Sequence, residues 1–302
     1  MTSESLARST TPKPWLPLFL SVAAIWGGSF LFMRIAAAEF GPFATAALRM
    51  GIGAMVMLPL LWWRGLLPQM WANWWPIFWT SLINAGIPFA CYSFAVLHIT
   101  TGLSAILNAT VPMFAALVAW VWLGHRLTTW RTLGIVIGFV GVAMLAGEQA
   151  ALKGDSLWLS IAAIAACLVA TLCYGVSGNI IKERLSHVHP WVNAGGTMLG
   201  ATVWLALPAA LTWPLVMPSA SAWSAVTAVA IVCSALAFML YFELLQRTDT
   251  TKTMSVTYLI PVFAIVYGVT WLDEHVTLWM LLCGAIVVLG TALATGLIRK
   301  RH

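Results

Sequence analysis

The ten residues VWLGHRLTTW, at positions 121–130, return in closely similar form as TWLDEHVTLW at positions 270–279. The four identical positions stand 149 residues apart, since 271 − 122 = 149. They are Trp122, Leu123, Thr128 and Trp130 in the first copy and Trp271, Leu272, Thr277 and Trp279 in the second. Each copy is a short charged break between two long apolar runs. A phrase that recurs at a fixed distance indicates a duplicated chain.

The composition is that of a protein dissolved in lipid. The chain has 302 residues, of which 61% are hydrophobic and 8% are charged, and its mean hydropathy is +0.92. A soluble domain averages about 25% charged residues. The apolar runs are continuous over about twenty residues, the length that an α-helix needs to cross the hydrocarbon core. A membrane β-barrel would instead show alternating segments of roughly ten residues. We therefore predict an all-α membrane protein.

Apolar runs that are separated by charges, proline and glycine predict ten transmembrane helices. Their approximate limits are 17–38, 43–63, 74–97, 102–122, 130–148, 157–179, 190–210, 222–245, 254–272 and 277–297. The connections are short, so neighbouring helices are expected to run antiparallel.

The lysines and arginines predict the orientation in the membrane. With the N-terminus in the cytoplasm, twelve of the fifteen fall on the cytoplasmic side. These are Arg8, Lys13, Arg64, Arg126, Arg131, Lys182, Arg184, Arg247, Lys252, Arg299, Lys300 and Arg301. The exceptions are Arg34, Lys153 and Arg49, the last within a helix. We expect two cytoplasmic tails, at 1–16 and 298–302.

The duplication extends far beyond the opening phrase. FACYSFAVLHITTGLSAILNATVPMF, at 89–114, aligns without gaps with FMLYFELLQRTDTTKTMSVTYLIPVF, at 238–263. Nearer the front of each half, WGGSFLFMR at 26–34 aligns with YGVSGNIIK at 174–182. Proline, glycine, tryptophan and tyrosine keep their register over this length, which a chance match of one phrase would not do.

Two repeats of five helices follow, at 17–150 and 157–297. Because five is odd, the second repeat must cross the membrane in the opposite sense to the first. Inverted-topology repeats are the architecture of many secondary transporters, in which exchanging the conformations of the halves moves a cavity opening from one side to the other. We therefore expect an alternating-access transporter.

Polar and aromatic residues near the middle of the predicted helices are candidates for a substrate cavity. An amide or hydroxyl facing lipid is unfavourable, so these groups should face protein or water. Aromatic walls with a few polar groups suit a small amphipathic zwitterion. Hydrogen bonding between neighbouring helices is the alternative role for the serines and asparagines. The candidates are Trp26, Ser29, Asn84, Pro88, Tyr92, Asn108, Tyr174, Ser177, Phe238, Tyr241 and Tyr258.

Three further residues are assigned structural or gating roles. Arg49 lies about two turns into the second helix, where a charge costs about 2.5–3.5 kcal/mol at mid-bilayer. Its side chain is expected to reach outward to water and to serve the structure more than the substrate. Pro112 and Pro261 free backbone carbonyls within their helices. Such breaks mark transporter sites or are plain kinks that fit neighbouring helices.

The charged residues also limit the substrate and the energy source. None of the nine acidic residues is near mid-membrane; Glu243 lies toward the cytoplasmic end of the eighth helix. We therefore expect little carboxylate-based proton coupling. A lipophilic cation would need a buried carboxylate, and a sugar phosphate would need paired cations. A neutral amino acid needs neither and ranks first, ahead of nucleosides and other metabolites. No metal-ligand cluster or phosphate-binding glycine loop is visible, so no cofactor is expected.

Other classes of protein fit the sequence less well. The residues GVSG at 175–178 resemble the motif of an intramembrane serine protease. A serine nucleophile needs a histidine within reach, and no histidine lies at mid-membrane. Ser177 also has a counterpart in Ser29, which indicates a repeat position. A channel would show a ring of like charge or a carbonyl filter, and neither is visible. A chaperone-like membrane scaffold remains as a third alternative, which would not saturate with small solutes. We expect no enzymatic activity.

Three stretches carry a resemblance to a known family. WGGSFLFMR in the first helix, Pro42 followed by AALRM in the second, and PMFAALVAWVWLGHRLTTWRTLGIVIGFVGVAML from Pro112 resemble the EamA-type drug/metabolite transporter superfamily. The resemblance covers nearly the whole chain in both halves. The family's usual Leu-Gly-Glu-Arg-Leu-Thr phrase has glutamate where this chain has His125.

Within that superfamily the chain is most similar to bacterial exporters of aromatic amino acids of the YddG type. The resemblance implies a basket-shaped bundle in the bacterial inner membrane. It also implies that helices one, three, four, six, eight and nine line a central cavity, while helices two, five, seven and ten buttress it. The expected partners are a small-molecule substrate and the lipid bilayer, without nucleic acid. A monomer is compatible with the sequence.

Overall fold

The computed structural model describes residues 15–152, 157–248 and 253–296, all of which form helices and their connections. We number the helices α1 to α10 in chain order. They are α1 (Leu16–Trp63), α2 (Leu67–Ala72), α3 (Trp74–His98), α4 (Thr101–Leu123), α5 (Thr129–Leu152), α6 (Leu157–Arg184), α7 (Pro190–Leu211), α8 (Ala220–Arg247), α9 (Val256–Leu272) and α10 (Leu278–Thr295). Residues 1–14 and 297–302, which make up most of the two predicted tails, lie outside the described residues, as do Lys153 and Lys252.

Helix α1 contains the first two predicted crossings. Its 48 residues bend at Gly41, whose φ of 78° is in the left-handed region that glycine adopts without steric cost. Pro42 follows at the start of the second limb, a position where proline suits a helix. The two limbs, 16–40 and 42–63, with the eight helices from α3 to α10 give ten crossings among the described residues. The fold class predicted from the sequence is confirmed.

The duplication is visible in the packing of two glycines. A Cβ added at Gly27 would lie 2.6 Å from the Cβ of Phe263 in α9. A Cβ added at Gly175 would lie 3.1 Å from the Cβ of Phe114 in α4. Gly27 aligns with Gly175 and Phe263 with Phe114, so the same close crossing of two helices is built once by each pair. Only glycine lets the backbones approach so closely in membrane helices.

The same duplication places a π-helical turn in α3 and another in α8. The turns cover Leu82–Gly86 and Ile231–Leu236, whose first residues are 149 positions apart because 231 − 82 = 149. A π turn inserts an additional residue into an α-helix and is frequent at functional sites. In both helices the turn changes which residues face the middle of the bundle.

Helices α5 and α10 pack against each other at the edge of the bundle, away from its centre. A Cβ added at Gly290 would lie 2.4 Å from the backbone nitrogen of Gly138. A Cβ added at Gly134 would lie 2.4 Å from the backbone nitrogen of Ala294. These helices therefore buttress the fold, as the resemblance implied.

Exposed tryptophans mark both ends of the bundle. Tryptophan side chains are enriched at the two membrane–water interfaces. One group lies at the end that carries Arg64, Arg126, Arg184 and Arg247, which we call the basic end. This group includes Trp62, Trp63, Trp71, Trp75, Trp122 and Trp130, and the group at the opposite end includes Trp158, Trp213, Trp271 and Trp279. The chain is thus a multi-pass membrane protein.

Candidate substrate cavity

A cavity of about 500 Å³ lies between the two repeats. Its wall combines aromatic rings with a few amides, hydroxyls and one arginine. The lining residues include Trp26, Ser29, Met33, Arg49, Met50, Asn84, Phe89, Tyr92, Asn108, Tyr174, Ile181, Pro190, Asn193, Thr197, Met198, Cys233, Phe238, Tyr241, Phe242 and Thr257. This volume is typical of a site that binds a small molecule.

One aromatic cluster in the wall is centred on Trp26. The ring centroid of Trp26 lies 5.1 Å from that of Tyr241 and 6.3 Å from that of Phe238. These distances are in the range at which aromatic pairs attract each other. The cluster joins the first helix of repeat one to the third helix of repeat two.

A second cluster repeats this arrangement with equivalent residues. Tyr174 lies 6.3 Å from Tyr92 and 6.5 Å from Phe89, measured between ring centroids. Each member is the counterpart of a member of the first cluster in the alignment of the two halves. The cavity is therefore walled by the same aromatic group used twice, once from each repeat.

Two asparagines supply polar groups beside the rings. The Tyr92 hydroxyl donates a hydrogen bond to the Asn108 side-chain oxygen at 2.9 Å. The Ser177 hydroxyl donates a hydrogen bond to the Asn84 side-chain oxygen at 3.0 Å. Among the described residues, neither asparagine NH₂ group has a hydrogen-bond partner. Both asparagines line the cavity, so their NH₂ groups are available to a bound molecule.

Arg49 is buried in the cavity wall. It is 4% exposed, and its guanidinium carbon lies 3.8 Å from the centre of the Phe89 ring. Its Nε donates to the Ser234 hydroxyl at 3.0 Å, while Nη1 donates to the Ser29 hydroxyl at 2.9 Å and contacts the Met33 sulfur at 3.2 Å. The prediction that this side chain reaches outward to water is wrong, because both serines and the ring hold it inside the bundle.

The π-helical turn of α8 explains how Ser234 reaches this arginine. Its hydroxyl donates to the Val229 carbonyl, five residues earlier, at 3.0 Å. This bond fixes the hydroxyl so that its lone pair accepts from Arg49. The sequence showed Ser234 as a polar residue in an apolar run, but the turn that orients it has no clear signal in the sequence.

Eight of the eleven predicted cavity residues line the cavity, and three do not. Pro88 is buried in the body of α3. Ser177 lies behind Asn84, donates to it and is fully buried. The Tyr258 hydroxyl contacts the Thr295 hydroxyl at 3.1 Å, so it faces α10 instead of the cavity. Spacing along a helix identifies a shared face but not which neighbour that face meets.

The prolines assigned gating roles are both buried. Pro112 starts the second part of α4, just after that helix is interrupted at Ala109 and Thr110. Pro261 lies inside α9 without interrupting it. The first repeat is therefore interrupted just before its proline, whereas the described part of the second repeat has a turn at Ser255, six residues before Pro261.

The second limb of α1 and helix α7 also line the cavity, which corrects the expectation that helices two and seven only buttress it. Arg49 and Met50 contribute from the second limb, and Asn193, Thr197 and Met198 contribute from α7. Long side chains from these helices reach between the aromatic clusters. Helices α5 and α10 contribute none of the lining residues of the described chain.

The cavity extends toward the basic end of the bundle. Ile181 and Pro190, close to the connection between α6 and α7, belong to its lining, as do Phe242 and Thr257. The opposite end is filled by a buried cluster that includes Ala36 and Phe40.

Two contacts close the end opposite the basic end. Phe40 packs edge-on against Trp223, with ring centroids 4.9 Å apart. The Arg34 guanidinium donates to the backbone carbonyls of Val96 and Ile99, at the end of α3. This arginine, one of the three exceptions to the charge pattern, therefore has a structural partner.

Glu274 connects the two repeats at this closed end. The backbone nitrogen of Thr101 lies 2.9 Å from Oε1 and 3.0 Å from Oε2 of Glu274. The Thr101 hydroxyl also donates to Oε2, at 2.8 Å. Thr101 is the first residue of α4, where unsatisfied N–H groups favour an anion. In the sequence, the hairpin that holds Glu274 stands out because it repeats the phrase at 121–130. A carboxylate between two apolar runs was the sequence signal that could have indicated a buried partner.

These features define a class of protein: a multi-pass membrane protein whose two similar halves enclose a cavity for a small molecule, the architecture of secondary transporters. The EamA-like transporter family model matches the chain twice, at residues 13–147 and 161–296. The chain belongs to this family. The two successive matches agree with the duplication in the structure.

Relatives support this assignment, and a solved structure shares the fold. An uncharacterized transporter of Bacillus subtilis (strain 168), YvbV, is 23% identical and aligns with 92% of this chain and 90% of its own length. A probable terminal-alkyne amino-acid exporter of Streptantibioticus cattleyicolor is 28% identical over 65% of this chain and 64% of its own. A solved crystal structure matches with a TM-score of 0.66 at 21% identity and covers 94% of this chain and 97% of the other. The last likeness shows a shared fold.

Proposed function

We propose that this protein exports small neutral amphipathic metabolites by alternating access, with amino acids, including aromatic ones, as the first choice. The observation that carries this proposal is the cavity wall of two equivalent aromatic clusters with a few amide and hydroxyl groups between them. Aromatic rings bury an apolar side chain, while a small number of polar groups fixes the orientation of the substrate.

The location of charge favours an amino acid over the alternatives. No carboxylate occurs among the cavity-lining residues of the described chain, so a lipophilic cation has no counter-charge there. Arg49 is the one cation among those lining residues, whereas a sugar phosphate would want two or more. Nucleosides stay as an alternative substrate class. The amino-acid exporter from Streptantibioticus cattleyicolor supports the first choice.

Alternating access is the mechanism that we propose, because two inverted repeats can exchange conformations and so move the cavity opening from one side to the other. The cavity extends toward the basic end, and the positive-inside rule supports a cytoplasmic location for that end. A molecule would enter the cavity from the cytoplasm and leave after the opposite end opens. Export across the bacterial inner membrane, with both chain ends in the cytoplasm, belongs to the same proposal.

A transport assay tests this function directly. Purified protein in liposomes preloaded with unlabelled phenylalanine should accumulate radiolabelled phenylalanine by counterflow, and leucine and tryptophan should compete. A nucleoside and a lipophilic cation complete the panel. Phe238→Ala should weaken competition by tryptophan, since it removes a ring from the wall, whereas Phe43→Ala, at an exposed ring, should not. Counterflow of the nucleoside or the cation, without any amino acid, would overturn the proposal.

A further inference from the structure

The position of Arg49 raises a question that hydrogen bonding within the protein does not answer. Its charge is buried, yet no acidic side chain of the described residues contacts it. The one ion pair between described residues joins Glu243 and Arg247, near the basic end. Ser29, Ser234 and Met33 are neutral partners. A buried charge without a counter-charge is strongly unfavourable, so an anion is the expected neighbour.

One nitrogen of the guanidinium, Nη2, retains both of its N–H donors. An arginine carries five N–H donors in a rigid planar fork. The contacts described above use Nε and Nη1, and Nη2 has no hydrogen-bond partner among the described residues. Arg49 lines the cavity. The ring of Phe89 covers one face of the guanidinium and attracts the cation, but it does not neutralise it.

The equivalent position in the second repeat carries no charge. The equivalent of Arg49 in the second repeat is Thr197, because 197 − 49 = 148, the offset of the first helices of the halves. The neighbouring Met50 and Met198 are equivalent as well, and all four line the cavity. Helix α7 therefore carries a neutral threonine where the second limb of α1 carries an arginine. The positive charge is present in only one of the two repeats at this position.

The Thr197 side chain is the polar group at this equivalent position. It is 6% exposed, and its hydroxyl has no hydrogen-bond partner among the described residues. Buried hydroxyl groups are nearly always hydrogen-bonded in folded proteins. Because the oxygen itself is buried, this hydroxyl does not contact a molecule in the cavity, and the binding of an anion falls to Arg49 alone.

We propose that Arg49 is the carboxylate-binding residue of the substrate site. The two N–H donors of Nη2 receive a carboxylate oxygen, in a hydrogen bond that the positive charge strengthens. The aromatic clusters hold the apolar part of the same molecule. A substrate with a single carboxylate and an apolar or aromatic body fits one arginine, whereas a phosphate ester would carry more charge than one cation offsets. This inference rests on the proposed function and narrows its substrate class.

The first experiment needs only the wild-type protein. Binding to purified protein is measured by thermal shift and by inhibition of phenylalanine counterflow, with four probes: phenylalanine, 3-phenylpropionate, phenylalaninol and inorganic phosphate. The first two have a carboxylate and the third has none. Phenylalanine and phenylpropionate should bind and compete, phenylalaninol should bind at least tenfold more weakly, and phosphate should have no effect.

The second experiment uses variants of Arg49 and of a second arginine outside the cavity. Arg49→Gln should weaken binding of phenylalanine and phenylpropionate by roughly 10–150-fold, the range of a hydrogen bond to a charged group. Arg49→Lys, which keeps the charge on a different donor, should recover part of that loss. Arg64→Gln is the matched control, because it makes the same change at an exposed arginine that lies over the Trp191 ring outside the cavity lining, and it should leave phenylpropionate binding unchanged.

The outcomes separate this inference from the proposed function. If no amino acid is transported, both are wrong. If wild-type protein binds phenylalaninol as tightly as phenylalanine, or if Arg49→Gln binds phenylalanine with unchanged affinity, amino-acid transport stands and the role of Arg49 is wrong. Competition by phosphate would indicate a general anion site and would also overturn the carboxylate assignment. If Arg49→Gln does not fold, the wild-type panel and Arg49→Lys decide.

Discussion

Removing the charge of Glu274 should open the closed end of the cavity more often. This carboxylate of the second repeat accepts both donors of Thr101 in the first repeat, at 2.8 to 3.0 Å. Under alternating access these contacts must break before the closed end can open. Glu274→Gln keeps the shape and one acceptor oxygen but removes the charge.

The size of the effect follows from these contacts. Hydrogen bonds to charged groups contribute about 1 kcal/mol more than neutral ones, and an anion at a helix N-terminus adds about 0.3–1 kcal/mol. Because Glu274 is only half-buried, we take about 1–2 kcal/mol for the sum of these terms. That free energy corresponds to a roughly 5–30-fold larger population of the open state.

Thiol labelling from the side opposite the basic end measures this population. Ala36 is fully buried in the cluster that fills the closed end, so Ala36→Cys, in a background whose five native cysteines are replaced by alanine, reports opening. Its labelling rate is expected to follow the population of the open state. The rate should therefore rise roughly 5–30-fold in Glu274→Gln.

Asp273→Asn is the matched control for this experiment. It removes the same charge from an exposed neighbour, and asparagine tolerates the φ of 51° that the aspartate adopts. Its labelling rate should not change. An unchanged rate in Glu274→Gln, or an equal rise in both variants, would refute the reasoning.

Three further changes test other parts of the structure. Gly175→Ala should destabilise the protein by about 1–3 kcal/mol through overpacking, because the added Cβ would lie 2.8 Å from backbone atoms of α4. Gly178→Ala, whose Cβ would meet nothing within 4 Å, should leave the stability unchanged. Thermal unfolding in detergent compares the two variants. Tyr92→Phe loses the hydrogen bond to Asn108 and should raise the KM for phenylalanine about 2–10-fold, with the maximal transport rate retained; an unchanged KM would show that the bond does not shape the site. Glu243→Gln should leave counterflow intact, because this carboxylate lies near the basic end, outside the lining of the cavity; abolished transport with normal expression would indicate carboxylate-based coupling.

Much of the fold was predictable because membrane helices obey strong and local constraints. Hydrophobic length fixed the crossings to within a few residues, and the register of Trp, Gly and Pro established the duplication. The bend at Gly41 was predictable in place, as the end of one apolar run before Pro42, although the structure forms a single bent helix there.

The candidate site was predictable in composition and only partly in arrangement. Aromatic residues such as Trp26 and Tyr174 were singled out because they occupy matching positions, and the structure places both in the cavity wall. Tyr258 was singled out by the same kind of evidence and faces α10 instead. A helical face can meet lipid, a neighbouring helix or a cavity, and the sequence of one helix does not contain that choice.

The sequence by itself determined the membrane class, the number of crossings, the duplication and its inversion, because these depend on hydropathy, parity and register along the chain. Only the tertiary structure decided that Arg49 turns inward beneath Ser29 and Ser234, and that Glu274 binds the start of α4. Those contacts join residues 185 and 173 positions apart, and their energies arise from distances between helices that no local pattern records.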